Sequence, residues 1–113
     1  MTDAAWKQLE RDVVPMLGTK RRTPLSGGNS GHTRADNIDD ELFVECKQGK
    51  RIGICKLYYE TRALARKEGK VPVIISKEKG RHGFLVTCHI TDLPKIAERH
   101  AEAMQDYAAG VSE

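Results

Sequence analysis

Residues 34–47 read RADNIDDELFVECK, and this stretch decides the fold. Two short β-prone runs, 35–38 and 42–47, are separated by the acidic turn Asp39, Asp40 and Glu41, which predicts a β-hairpin. Alternation along the second run places Leu42, Val44 and Cys46 on one face and Phe43, Glu45 and Lys47 on the other. Glu45 and Lys47 therefore point the same way.

Upstream, Trp6, Leu9, Val13, Val14 and Leu17 recur at helical spacing and predict a first helix over residues 2–17. At about 100° per residue, Glu10 falls inside that apolar stripe, where a carboxylate requires a partner or a task. Residues 18–34 are rich in Gly, Ser, Thr, Asn and basic side chains and predict a long exposed loop. Loops longer than about 12 residues in compact domains are usually functional or disordered, so this one is a candidate substrate contact.

Downstream, Ile52 to Leu57 predicts a further strand, followed by a helix that runs to Glu68 and stops at Gly69. Val71 to Ser76 and Phe84 to Ile90 predict neighbouring strands joined by the basic turn KEKGRHG. From Asp92 as N-cap, Leu93, Ile96, Ala97, His100, Met104 and Tyr107 predict a closing amphipathic helix, packed on the sheet or on another subunit. The pattern is that of a mixed α/β fold, a central mixed sheet flanked by helices.

With 113 residues, the chain predicts one domain spanning 1–113. Its 39% hydrophobic and 31% charged content places it with folded chains rather than disordered ones. Net charge is only +3, so any affinity for nucleic acid must come from clusters of charge rather than the total. Cys46, Cys55 and Cys88 are odd in number, lack metal-ligand spacing and lie in apolar runs, which predicts reduced core thiols. No targeting pattern and no apolar run approaching about 18 residues is present, which predicts no membrane association and a cytoplasmic setting, the host's cytoplasm if the source is a virus.

Asp36 and Glu45, nine positions apart across the hairpin, can converge on one cation, and Lys47 stands roughly 7 Å beyond Glu45 on the same face. Hydrolysis of a phosphodiester needs an activated water and compensation of charge growing on phosphorus, which a carboxylate-held divalent cation supplies. Oxygen ligands of this kind favour magnesium, with manganese as a substitute. Lys20, Arg21, Arg22 and Arg34 in the long loop, and Lys77, Lys79 and Arg81 in the basic turn, flank that acidic pocket as candidate phosphate contacts. Asp39, Asp40 and Glu41 read as turn residues, and His32, His82, His89 and His100 lack metal-ligand spacing.

Asp36 followed by VECK at 44–47 resembles the Asp-x(n)-Glu-x-Lys signature of the PD-(D/E)xK nucleases, with Ala35 where that name has proline. The order of a helix bearing Glu10, an SGG loop, RAD, VECK, a helix, PVII and FLVTCH resembles archaeal-type Holliday-junction resolvases over residues 6 to about 89. The resemblance implies a restriction-endonuclease-like fold, a homodimer, and magnesium-dependent paired cuts in four-way DNA junctions that leave 5′-phosphate ends. It implies Asp36, Glu45 and the Cys46 carbonyl as metal ligands, Glu10 as a further acidic site residue, Lys47 as catalytic, and DNA contact by Ser26. A flap-, nick- or duplex-cutting nuclease, or a non-catalytic DNA-binding subunit of the same fold, are the alternatives.

Overall fold

A computed structural model describes residues 2–21 and 35–111. In chain order the elements are α1 (Thr2–Leu17), β1 (Lys20–Arg21), β2 (Asn37–Ile38), β3 (Leu42–Gly49), α2 (Ile54–Glu68), β4 (Val71–Glu78), β5 (Leu85–Thr87), a 3-10 turn (Ile90–Asp92) and α3 (Leu93–Val111). They form a mixed α/β fold around one five-stranded sheet ordered β1-β2-β3-β4-β5. The β3–β4 pair is parallel and the other three pairs are antiparallel. The predicted hairpin is present, with Asn37 opposite Val44.

Burial follows the alternation of β3. Leu42, Val44 and Cys46 pack with Val73 and Ile75 of β4 against Leu9, Val13 and Leu17 of α1 and Ile96 of α3. Phe43 packs on the opposite face with Ala35 and Ala65. A sheet covered on both faces buries consecutive residues, which is why Leu42, Phe43 and Val44 are all fully enclosed. From Glu45 onward the second face opens: Glu45 is half-buried and Lys47 exposed.

Two sequence expectations give way to topology. The strand predicted from Ile52 to Leu57 is absent, because α2 begins at Ile54. Parallel neighbours need a crossover long enough to return the chain to the starting end of the sheet, and α2 supplies it, burying Tyr58, Thr61 and Ala65. Cys55 consequently lies on the exposed side of a helix, whereas Cys46 is buried, Cys88 is half-buried, and all three thiols are free. The stop at Gly69 matches expectation: this residue is left-handed at φ 67°, and the Lys70 N–H bonds the Ala65 carbonyl at 3.0 Å.

The long loop also begins later than expected, since Lys20 and Arg21 pair with Ile38 and Asn37 as an edge strand. Asn37 Nδ2 donates to Thr19 Oγ1 at 2.9 Å, a buried bond tying this edge to the end of α1. Near the other edge, the strand predicted over Phe84 to Ile90 shrinks to Leu85–Thr87. The His89 ring accepts from the Thr91 N–H and caps the 3-10 turn, a role expected of Asp92 at the start of α3. Among the described side chains of α3, which do not include Tyr107, Ile96 and Ala103 are the buried ones, so the inward stripe is rotated from the expected one, and α3 packs on α1. Leu93 and His100 instead line an apolar cleft of about 490 Å³ with Met16, Phe84 and Val86.

Candidate active site

The interruption of β2 builds the site. Alternate strand residues offer both backbone groups to the same neighbour, and the Val44 carbonyl accepts from the Asp36 N–H at 2.9 Å. Cys46 faces the same side one step on, opposite the chain that precedes the start of β2. Its N–H instead donates to Asp36 Oδ2 at 2.7 Å. That bond fixes the Asp36 carboxylate beside the strand carrying Glu45 and Lys47. In a regular strand a residue's carbonyl lies on the same edge as its own N–H, which for Cys46 is the edge beside Asp36.

Electrostatics bring three of the predicted acids together. Burial is the main cause that pushes the Glu45 carboxyl up to about 7, and the charges of Asp36 and Glu10 push the same way while Lys47 opposes them. Burial, Asp36, Glu10 and Glu45 likewise drive the Cys46 thiol far above its ordinary range, which makes it an inert core group rather than a nucleophile. Glu10 thus shares one field with Asp36 and Glu45 from the α1 side. Among the described residues, however, no group of three or more His, Cys, Asp or Glu side chains is placed to hold a metal ion.

The donor chemistry still fits a magnesium ion. Asp36, Glu45 and a strand carbonyl are all hard oxygen donors, and magnesium is commonly held by one or two carboxylates with its remaining positions filled by water. Glu10 acts on that pair through its charge.

Lys47 lines a cavity of about 230 Å³ with Arg51, Lys56 and Glu60 at the start of α2. Sequence reading missed Arg51 and Lys56; the run Lys47, Lys50, Arg51, Lys56 was the available signal. The basic turn after β4 lies at this same end of the sheet, since Gln48 sits opposite Lys77 and the Lys79 N–H reaches the Gly49 carbonyl at 3.3 Å. Lys79 and Arg81 are exposed, Arg81 is paired with Glu78 at 2.8 Å, and Lys77 Nζ lies 5.8 Å from the centre of the Phe84 ring. Lys20 is exposed on β1, which runs toward the Asp36 end of β2. Arg22, Ser26 and Arg34 lie outside the described residues, as does the side chain of Arg21.

No helix among the described residues is long and apolar enough to cross a membrane. No family model, curated protein or solved structure matches the chain.

Proposed function

We propose that this protein is a magnesium-dependent endodeoxyribonuclease that cuts branched DNA, four-way junctions above all. The observation that carries the reading is the Asp36 carboxylate, clamped by the Cys46 amide on an interrupted hairpin beside Glu45 and Lys47. Asp36, Glu45 and the Cys46 carbonyl would hold the magnesium ion, with manganese able to replace it. When bound, the ion acidifies an attacking water and offsets charge on phosphorus. Lys47 places its ammonium where that water or the scissile phosphate lies, and Glu10 keeps the local potential negative enough to favour a cation. Lys79 and Arg81, at the same end of the sheet, hold the flanking backbone.

The test is cleavage of labelled four-way junction, nicked, flap and linear duplex DNA, with magnesium or with EDTA, by wild type and Asp36→Ala. Paired cuts in the junction are expected, absent in EDTA and reduced roughly 10³-fold or more in the variant. Equal cutting of linear duplex would make the protein a general nuclease. Binding without cleavage would leave a DNA-binding subunit, and undiminished cutting by Asp36→Ala would place the active site elsewhere.

Paired cuts across a two-fold junction follow naturally from a two-fold dimer. Val86 of β5 and Leu93 at the start of α3 are exposed and line the same apolar cleft, the kind of surface that a second copy covers. Val86 is 53% exposed, so Val86→Asp leaves the core intact. Light scattering is expected to report a dimer for wild type and a monomer for Val86→Asp. A wild-type monomer at micromolar concentration would remove the symmetric mechanism.

A further inference from the structure

Between α2, the start of β4 and the 3-10 turn, a second basic groove of about 270 Å³ is lined by Tyr58, Arg62, Arg66, Lys70, His89 and Asp92. Three of these side chains are cations and only Asp92 is a carboxylate. Arg62 and Arg66 are one helical turn apart, about 6 Å along the axis, so their like charges repel each other. Lys70 lies past the Gly69 cap, but its ammonium is paired with Glu68 at 3.2 Å and only 13% of its side chain is exposed, so the two arginines carry the open charge of the groove. The Arg62 guanidinium is held 5.8 Å from the centre of the exposed Tyr59 ring, which limits its motion. The groove floor, Val71 and Pro72, is level with Leu42 and Phe43 rather than with Glu45 and Lys47. It therefore lies on the order of 15 Å from the acidic site, along the strands and across α2.

We infer that this groove is a second phosphate-binding site, which takes the backbone of a nucleic-acid segment away from the point of cleavage. The inference rests on the nuclease reading for the identity of its ligand. Two guanidiniums one helical turn apart, Arg62 and Arg66, suit neighbouring phosphates of one strand better than a single free phosphate, which would engage only one of them. A branched substrate offers such a segment in a second arm.

Binding of fluorescein-labelled four-way junction in EDTA, followed by anisotropy over a salt series, tests it. Arg62→Gln/Arg66→Gln is expected to weaken binding about tenfold at about 100 mM salt and to lower the salt slope by about 2. The control Lys7→Gln/Lys67→Gln removes the same charge from exposed positions outside the groove and is expected to lose far less. Equal losses in the two variants, or binding by Arg62→Gln/Arg66→Gln that matches wild type, would overturn the site. Inorganic phosphate that competes at equal concentration for wild type and the groove variant would overturn it as well. Cleavage by wild type is a separate readout: binding with the groove effect but no cleavage removes the nuclease reading and leaves the groove standing, whereas absence of DNA binding by wild type removes both.

Discussion

Glu45→Gln is expected to abolish cleavage while making the metal-free protein more stable at pH 8. The loss of cleavage, roughly 10³-fold or more, follows from removing one of two carboxylates available to a cation. The gain in stability follows from the environment of Glu45. Burial first, then Asp36 and Glu10, raise its folded-state pKa to about 7 from an ordinary value of 4.5. As pH rises between these values, the unfolded chain releases the proton that the folded chain retains, so stability falls until about pH 7 and stays low above it.

Glutamine has no proton to lose and escapes that penalty. With allowance for the solvent that Glu45 still meets, the gain at pH 8 is about 1–2 kcal/mol, a rise of roughly 5 °C in Tm. It should vanish near pH 4.5. Magnesium, which favours the ionised carboxylate, should raise the Tm of wild type and leave Glu45→Gln unmoved. Thermal melts of both proteins at pH 4.5 and 8, with EDTA or magnesium, check each part. A variant less stable than wild type at pH 8 would show that Glu45 serves the fold rather than a ligand.

How far the sequence reveals this arrangement depends on the range of the interactions involved. The hairpin, the α1 helix with Leu9, Val13 and Leu17 turned inward, the Gly69 stop and the β4 run are local patterns, and all four appear in the structure at the expected positions. The stretch from Ile54 to Leu57 misled because its apolar residues suit either a strand or a buried helix, and only the parallel pairing of β3 with β4 requires a helix there. The placement of Asp36 beside the strand that carries Glu45 and Lys47 is legible from spacing. The Cys46 amide that fixes Asp36 was not, because it depends on where β2 stops pairing. Arg99 was invisible for the same reason: its partners lie about 60 and 82 positions away in sequence.

Arg99→Ala is expected to produce the largest loss of stability of any substitution outside the core. Its guanidinium donates to both Asp39 carboxylate oxygens, at 2.8 and 2.9 Å, and to the Leu17 carbonyl at 2.9 Å, joining α3 to the hairpin turn and to the end of α1. Only 14% of the Arg99 side chain and 12% of that of Asp39 are exposed, so the pair is largely shielded from water. Alanine would leave a carboxylate and a carbonyl without this donor, a loss of about 2–4 kcal/mol. Lysine should recover only part of it, because a single ammonium cannot reproduce the two-pronged contact.

Burial alone would raise the Asp39 carboxyl, but the Arg99 hydrogen bond and the Leu42 and Glu41 amides outweigh it and hold the group below its ordinary range. The stabilisation is therefore complete above the unfolded value near 3.8 and is lost as pH falls through the lower folded value. Wild type and Arg99→Ala should differ most at neutral pH and converge in strong acid. A double-mutant cycle with Asp39→Asn isolates the coupling, and additive losses would show that the two side chains act independently. Asp36 lies three residues before Asp39, yet the Cys46 amide holds it directly. At temperatures where Arg99→Ala remains folded, cleavage should therefore fall less than about tenfold, against the roughly 10³-fold loss expected at Glu45. A large fall in a folded variant would make the clamp at the turn part of the machinery that positions Asp36.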